Sequence, residues 1–513
     1  MPFAQHAALT PDKIAAVMGD SGRSMTFAEI NDRSIQLARY LQDQGLAPGD
    51  GLALLIENRL EFYEVFWAAM RSGLLVTPVN THLAAEEVAY ILSDSWASAI
   101  ITSGTLAPLA EAALTNAPSC AVRLCLDHGA PGFTDYEEAI AAQSTTPPAL
   151  QPLGDFMNYS SGTTGRPKGI RRPLRDQDFA EPTVLEPLLA GIFGVGADTV
   201  YLSPAPLYHS APLAFSTGTM ALGGTVVLMP KYEPEACLRA IEQYGVTHSQ
   251  WVPTMLIRLL RVPDDRRSAY DLSTHRVAIH AAAPCPPQVK VDMVEWWGPI
   301  LHEYYGATEL HSMTHVTSED WLEHPGTVGR PVLGVLHICD DDGSEVPTGT
   351  PGLIYSELPE APFEYHGDAE KTAASRHPAH ANWTTVGDIG YVDREGYLYL
   401  TDRKAFMIIS GGVNIYPQEI EHVLVGHPAV GDVAVFGVPH AEMGEEVVAI
   451  VEPLGTAGSD ALAEELRVYA REHLAGYKVP RRVTFIDSLP RMETGKLAKG
   501  ALRERFLAET VAR

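Results

Sequence analysis

Between residues 26 and 101, short and wholly apolar runs alternate with amphipathic stretches, and no other feature limits the fold as much. Phe27 to Leu41 spaces its apolar side chains by three and four, which predicts a helix. Gly49-Asp50 then turns into Leu52 to Ile56, a strand with no polar face. Phe62 to Met70 reads as helix, Leu74 to Val79 as strand, Ala84 to Leu92 as helix and Ala99 to Ile101 as strand. Strands that are apolar on both faces need cover on both, so the rhythm specifies parallel or mixed sheet between helices. It returns further on, with strands over 199–203, 224–228 and 277–280 and helices over 234–244 and 253–260.

From Gly326 the strands shorten, and turn signals cluster at Asp340 to Gly343 and at Arg394 to Gly396. This pattern predicts an antiparallel or barrel-like subdomain over about 326–400. A separate small α+β unit of about a hundred residues follows the junction at Asp402-Arg403. The expected class is α/β, with a large domain of parallel and mixed sheets over 1–402 and a small mobile α+β domain over 403–513.

Between the two helix–strand blocks lies Asn158 to Gly169, N-Y-S-S-G-T-T-G-R-P-K-G. Gly162, Gly165 and Gly169 let a ligand approach the main chain closely, and exposed N–H groups in such a loop form a concavity suited to an anion. Ser160, Ser161, Thr163 and Thr164 add hydroxyl donors and Lys168 a compact charge, so the natural guest is a polyphosphate. A Walker loop would need glycine where Pro167 stands, so that reading fails on spacing. The same residue types also make surface turns, and the stretch alone leaves both readings open.

Composition narrows the partners. Lys and Arg total 37 against 64 Asp and Glu, a net charge of −27 that repels nucleic acid and anionic membranes. An anion site must therefore be locally basic, against the global field. The longest charge-free apolar run, Leu213 to Met229, carries Ser, Thr and Gly throughout and suits a buried helix–turn–strand better than a membrane span. Five cysteines without C-x-x-C spacing and 19 histidines without H-E-x-x-H argue against a disulfide frame or zinc site. No basic segment followed by an apolar core occupies residues 1–16. These features predict a soluble cytoplasmic enzyme without stable membrane insertion.

Four further stretches carry chemistry. Tyr304-Tyr305-Gly306-Ala307-Thr308-Glu309 follows an apolar strand, where parallel-sheet enzymes place ligand-binding residues. Thr385 to Gly390 sets Asp388 between two glycines, Asp402-Arg403 leads into Ile409 to Asn414, and Pro490 to Lys496 puts a lysine near the C-terminus. With all five motifs in this order, the chain resembles the adenylate-forming superfamily: acyl-CoA synthetases, non-ribosomal peptide adenylation domains and beetle luciferases. Within it, the chain looks most like a bacterial acyl-CoA synthetase, over about Thr26 to Leu502.

The resemblance implies ATP, Mg²⁺ and CoA, with a small-molecule carboxylic acid as substrate. The carboxylate attacks the α-phosphate to give acyl-adenylate and pyrophosphate, and the CoA thiol then displaces AMP. Nucleotide binding would fall to Ser160, Ser161, Gly162, Thr163, Thr164, Gly165 and Lys168 at the phosphates. Ala282, Ala283, Pro284, Tyr304, Tyr305, Gly306, Ala307 and Thr308 would surround adenine and the α-phosphate, with Asp388 and Arg403 at the ribose. Glu309, with Thr164, would hold Mg²⁺, a hard cation that prefers oxygen ligands. Lys496 would stabilise the charge that develops in the transition state, so Lys496, Lys168, Thr164 and Glu309 form the implied catalytic set.

In this family the small domain swings after adenylation and brings the Ser410-Gly411-Gly412 segment to the site, with Trp251 also expected on the CoA tunnel. The hinge position, commonly Asp or Lys, is Ala405 here, followed by Phe406. The acyl group would meet His209, Ala281, Leu310 and Met313; no carboxylate stands among these walls to pair an α-ammonium, which disfavours amino acids. Small residues at Ala211, Ala214, Ser216 and Gly218 suggest a roomy pocket for a fatty, steroid side-chain or aryl-alkanoic acid. Lys499, Arg503 and Arg505 are expected to be solvated. Two rivals remain: an enzyme that loads a carrier protein, and a non-catalytic nucleotide- or acyl-binding relative. A homodimer is what the family implies.

Overall fold

The computed structural model describes residues 3–160, 167–403, 406–410, 413–440, 443–491 and 497–511. The first helix–strand block forms a six-stranded sheet in the order Thr134–Asp135, Val122–Cys125, Ala97–Thr102, Gly51–Leu55, Leu75–Pro78, Asp155–Phe156. All five of its ladders are parallel. The helix Phe27–Asp43 starts where the spacing predicts, because Thr26 Oγ1 accepts from the Glu29 N–H while the Glu29 carboxylate accepts from the Thr26 N–H.

The second block builds a nine-stranded sheet whose centre, Leu301–Gly306, Val277–His280, His248–Trp251, Val200–Ser203, Thr225–Leu228 and Ile14–Met18, is parallel. Its rims turn antiparallel, through Met313–Thr317 and Arg330–Leu333 at one end and Ser24–Thr26 at the other. Arg330–Leu333 lies beyond Gly326 yet pairs with this large sheet, so the small antiparallel sheet begins only at Val335–Cys339. It continues through Gly352–Glu357, Asp388–Val392 and Leu398–Arg403.

One apolar core joins the two large sheets. It takes in Leu52, Leu54, Val76 and Ile101 from the first sheet and Ala16, Tyr201, Val226 and Ile279 from the second. The helix Glu61–Arg71 belongs to this core and is buried along its whole length, not on one stripe. Its glutamates are paired accordingly, Glu61 with Arg23 and Arg59 and Glu64 with Arg33, while Arg71 donates to the side-chain oxygens of Asn31 and Gln151.

Near the C-terminus, Val430–His440 and Gly444–Pro453 form a long antiparallel pair, flanked by Ile408–Ser410, Val413–Ile415 and Arg482–Phe485. Their side chains alternate. Val433, Val435, Val447 and Ala449 pack against the helices Pro417–Val425 and Asp460–His473. Ala434, Phe436, Val448 and Ile450 face Leu502 of the helix Lys499–Val511. This is the α+β unit that the sequence predicts. Among the described residues no helix is long and apolar enough to cross a membrane.

Candidate active site

The glycine-rich stretch enters and leaves the described structure as an antiparallel pair. Asn158–Ser160 runs against Lys168–Arg171, with Lys168 opposite Ser160 and Gly169 opposite Tyr159. Gly169 allows the close pairing, since a Cβ there would lie 2.9 Å from Met157 Cε and 3.1 Å from the Tyr159 ring. Ser161, Gly162, Thr163, Thr164, Gly165, Ala405, Gly411, Gly412 and Lys496 lie outside the described residues, as do the side chains of Ser160 and Arg403.

Beside this pair stands Glu309, in the loop that follows Leu301–Gly306. It is only 7% exposed, and its Oε1 accepts a 2.9 Å hydrogen bond from Tyr365 Oη. Lys371 lies over the same tyrosine, with Nζ 4.0 Å from the ring centre, and interacts with both Lys168 and Glu309. The sequence reading missed Tyr365 and Lys371. Asp368, with the turn and helix signals around it, could have placed the short helix Ala369–Ala374. Nothing local indicates that this helix faces Glu309. Among the described residues no group of three or more His, Cys, Asp or Glu could hold a metal. A single buried carboxylate such as Glu309, beside the strand that leaves the glycine-rich stretch, fits Mg²⁺, which takes water and phosphate oxygens for its other positions.

The strand Leu301–Gly306 divides the site by its alternation. Tyr305 points toward the small antiparallel sheet, where its hydroxyl donates a 2.7 Å hydrogen bond to Asp388 Oδ2. Asp388 is directly opposite Arg403 in the ladder between Asp388–Val392 and Leu398–Arg403, so the two expected ribose contacts are cross-strand partners. Tyr304 turns the other way. Its ring stacks on Phe215 at 5.5 Å, and its hydroxyl accepts from Gln250 Nε2 at 3.3 Å. Both tyrosines nonetheless border the same cleft, Tyr304 with its ring turned toward Phe215.

Tyr305, Gly306, Ala282, Ala283, Pro284 and Asp388 line one cleft of about 740 Å³. Ala282 (φ 77°) and Leu310 (φ 51°) both hold the left-handed conformation that side chains resist, in the two loops that border it. Such strain persists where surrounding structure over-determines the backbone, typically at binding sites. Ala307 accepts from the Leu310 N–H to close the turn that carries Thr308 and Glu309.

The acyl side follows the helix Ser210–Ala221. His209 precedes its first turn, packs against the Tyr208 ring at 4.5 Å and leaves Nε2 buried without a hydrogen-bond partner. Burial pushes its pKa down to about 4, so it is a neutral contact at pH 7. Ala211 and Ala214 stay partly open, Ala281 is buried at a strand end, and Met313 packs from the neighbouring strand. Leu310 is 39% exposed.

Two of the small residues do other work. A Cβ on Gly218 would lie 2.4 Å from Leu189 Cδ1, so this glycine seats the helix Leu185–Phe193, and Ser216 is buried with its hydroxyl donating to Leu213 O at 3.1 Å. Trp251 also differs from expectation. Its ring is 1% exposed within the second core, and Nε1 donates to Ser249 Oγ at 2.6 Å; its neighbours Pro253 and Thr254 reach the cleft instead.

On the C-terminal side, Arg491, Leu497 and Lys499, the described neighbours of Lys496, line the same cleft, as does Phe406. Ser410, 9% exposed and paired with Val413 and Gly444, is not among the lining residues. Lys499 is not solvated: it is 9% exposed, pairs with Glu421 at 2.8 Å and lies 5.6 Å from the Phe406 ring centre. Arg503 likewise donates to Gly437 O at 2.7 Å, whereas Arg505 pairs with Glu509 on the exposed surface.

Comparison with known proteins agrees with this geometry. The AMP-binding enzyme family matches residues 3–360, and the AMP-binding enzyme C-terminal domain matches residues 419–496. The long-chain-fatty-acid–CoA ligase FadD13 of Mycobacterium tuberculosis is 33% identical over 98% of this chain and 97% of its own. A feruloyl-CoA synthase of Amycolatopsis sp. is 34% identical over 98% of both chains. The crystal structure of the anthranilate CoA ligase AuaEII in complex with anthranoyl-AMP superposes with a TM-score of 0.86 at 26% identity, covering 99% of this chain and 97% of that one. With its two matched regions and a cleft that gathers Tyr305, Asp388 and the neighbours of Lys496, the chain belongs to the AMP-binding enzymes of the adenylate-forming superfamily, as an AMP-forming acid–CoA ligase.

Proposed function

We propose that the enzyme activates an apolar carboxylic acid, of the fatty, steroid side-chain or aryl-alkanoic kind, to its acyl-adenylate and then its CoA thioester. The observation that carries the substrate class is the wall around the helix Ser210–Ala221. Ala211 and Ala214 leave its outer face partly open, the Phe215–Tyr304 stack lies beside it, and His209 adds no charge. An ammonium on the substrate would find no carboxylate among His209, Ala281, Leu310 and Met313, and burying it unpaired would be costly. Relatives at similar identity are named for a long-chain fatty acid and for a feruloyl group, which fits an open apolar slot.

In this reading Lys168, with the glycine loop, holds the β- and γ-phosphates, and Asp388 with Arg403 holds the ribose. Glu309 would hold Mg²⁺, with Thr164 as the second protein oxygen; when bound, the ion neutralises polyphosphate charge. Lys496 stabilises the charge gathering on the phosphate oxygens. The small domain, from Arg403 onward, then turns about Ala405 so that Ser410-Gly411-Gly412 admits the pantetheine arm. The described orientation, with Arg491 and Lys499 on the cleft and Ser410 away from it, suits the adenylation half. The cysteines are free, in keeping with a cytoplasmic site of action.

A thioester screen over carboxylic acids, with ATP and CoA, tests the substrate class. Turnover of medium- and long-chain or aryl-alkanoic acids is expected; activity confined to benzoates or to α-amino acids would refute it.

A further inference from the structure

We propose that Lys371 is a second phosphate-binding lysine, which grips the pyrophosphate end of ATP together with Lys168 and is aimed there by Tyr365. The inference rests on the adenylation reading and adds a residue that the sequence motifs do not contain.

Three contacts across the chain place it. Glu364–Tyr365 pairs antiparallel with Lys168–Arg171, putting Tyr365 opposite Ile170, and the His366 N–H donates to Gly169 O at 2.9 Å. The segment therefore runs alongside the strand that leaves the glycine loop. The chain then folds back sharply. Asp368 caps the helix Ala369–Ala374 by accepting from the Lys371 N–H, and Thr372 Oγ1 accepts from the Tyr365 N–H at 2.9 Å. This turn lays the Lys371 side chain over the Tyr365 ring while the Tyr365 hydroxyl is anchored on Glu309.

The electrostatics call for an anion. Lys168 and Lys371 are both half-buried, and Lys371 stands in the electrostatic field of Lys168. Burial and the neighbouring Lys168 both disfavour the charge on Lys371. Glu309 and Asp368 oppose this without cancelling it, and Asp368 is already engaged as the helix cap. Cation–π contact with Tyr365 offsets part of the remaining cost and cannot neutralise it. A diphosphate would, with oxygens enough for both lysines.

The chemistry gives the pair a task. A substrate carboxylate oxygen forms its bond to the α-phosphorus as the bond from that phosphorus to the bridging oxygen of the β-phosphate breaks. The electron pair leaves with pyrophosphate, whose new charge falls between Lys168 and Lys371. Both lysines therefore act in the first half-reaction, and neither is needed when CoA attacks the adenylate.

ATP–pyrophosphate exchange, titration calorimetry with magnesium pyrophosphate, and conversion of a synthetic acyl-adenylate to thioester test this in the full-length enzyme. Lys371→Ala should raise the KM for ATP and the Kd for magnesium pyrophosphate by about tenfold or more, the size of a lost charge-assisted contact. Thioester formation from the adenylate should stay within about twofold, and Lys371→Arg should recover most of the loss. Unchanged pyrophosphate affinity, or equal loss in both half-reactions, would overturn the proposal. Absence of exchange in the unmodified enzyme would instead overturn the adenylation reading beneath it.

Discussion

Tyr305 Oη donates a 2.7 Å hydrogen bond to Asp388 Oδ2, joining the end of a central strand in the nine-stranded sheet to the small antiparallel sheet. The contact spans a large stretch of chain and orients the carboxylate expected to hold the ribose. Tyr305→Phe keeps the aromatic face and removes this bond. It should cost about 1 kcal/mol in ATP binding, seen as a several-fold higher KM in ATP–pyrophosphate exchange. Asp388→Asn should cost more, because a charge-assisted acceptor for the ribose is lost. An equal, small effect of both substitutions would mean that Asp388 only positions Tyr305.

Lys496 and Ala405 should separate the half-reactions in opposite senses. Lys496→Ala should slow adenylation by about 10²–10³-fold while a synthetic acyl-adenylate is still converted to thioester. Ala405→Pro, by restricting φ, should spare adenylation and stop thioester formation. Rapid-quench measurement of the two steps reads both outcomes, and parallel loss of both steps in either variant contradicts the two-state cycle.

Gly218 is a packing residue. Gly218→Ala sets a Cβ 2.4 Å from Leu189 Cδ1 and 3.2 Å from Leu185 Cδ2. Overpacking of this kind costs about 1–3 kcal/mol. The thermal midpoint should fall while the acid preference stays the same. Ala214→Phe, on the partly open part of the same helix, should do the reverse and shift preference toward shorter acids. A changed acid preference in Gly218→Ala would return this glycine to the pocket.

His275 is buried, accepts or donates at 2.6 Å with Ser249 Oγ, and has its pKa pushed by burial to about 3. The unfolded chain, with the ordinary value near 6.5, binds this proton more readily than the folded protein does. The stability contribution is therefore complete above about pH 6.5 and is lost as pH falls toward 3, at up to about 1.4 kcal/mol per pH unit. Urea midpoints should drop between pH 7 and 5, and His275→Gln should flatten that slope. An unchanged slope in the variant would assign the acid sensitivity to other groups.

The expected site is written in the sequence because its demands are local. Glycines at 162 and 165 beside Lys168, Asp388 between two glycines, and a lysine on the turn at 496 each state a backbone or charge requirement within a few residues. What escaped was long-range. Lys371 comes beside the Lys168 strand only through the pairing of Glu364–Tyr365 with Lys168–Arg171. Lys499 looked solvated until Glu421 and Phe406 closed on it. Trp251 looked like a tunnel wall, although three aromatic and polar partners hold it in the core.

The sequence by itself determined the α/β class, the adenylate-forming family and the reaction, because strand–helix periodicity and five ordered motifs are written in short-range spacing. Tertiary structure alone decided how those parts divide the work. Strand alternation sent Tyr305 to Asp388 and Tyr304 to Phe215, helix packing claimed Gly218, and sheet register carried the Tyr365 segment to the strand Lys168–Arg171. Each of these depends on which face of an element meets which neighbour across long separations in sequence. No local pattern encodes that, because the meeting is set by the packing of whole sheets.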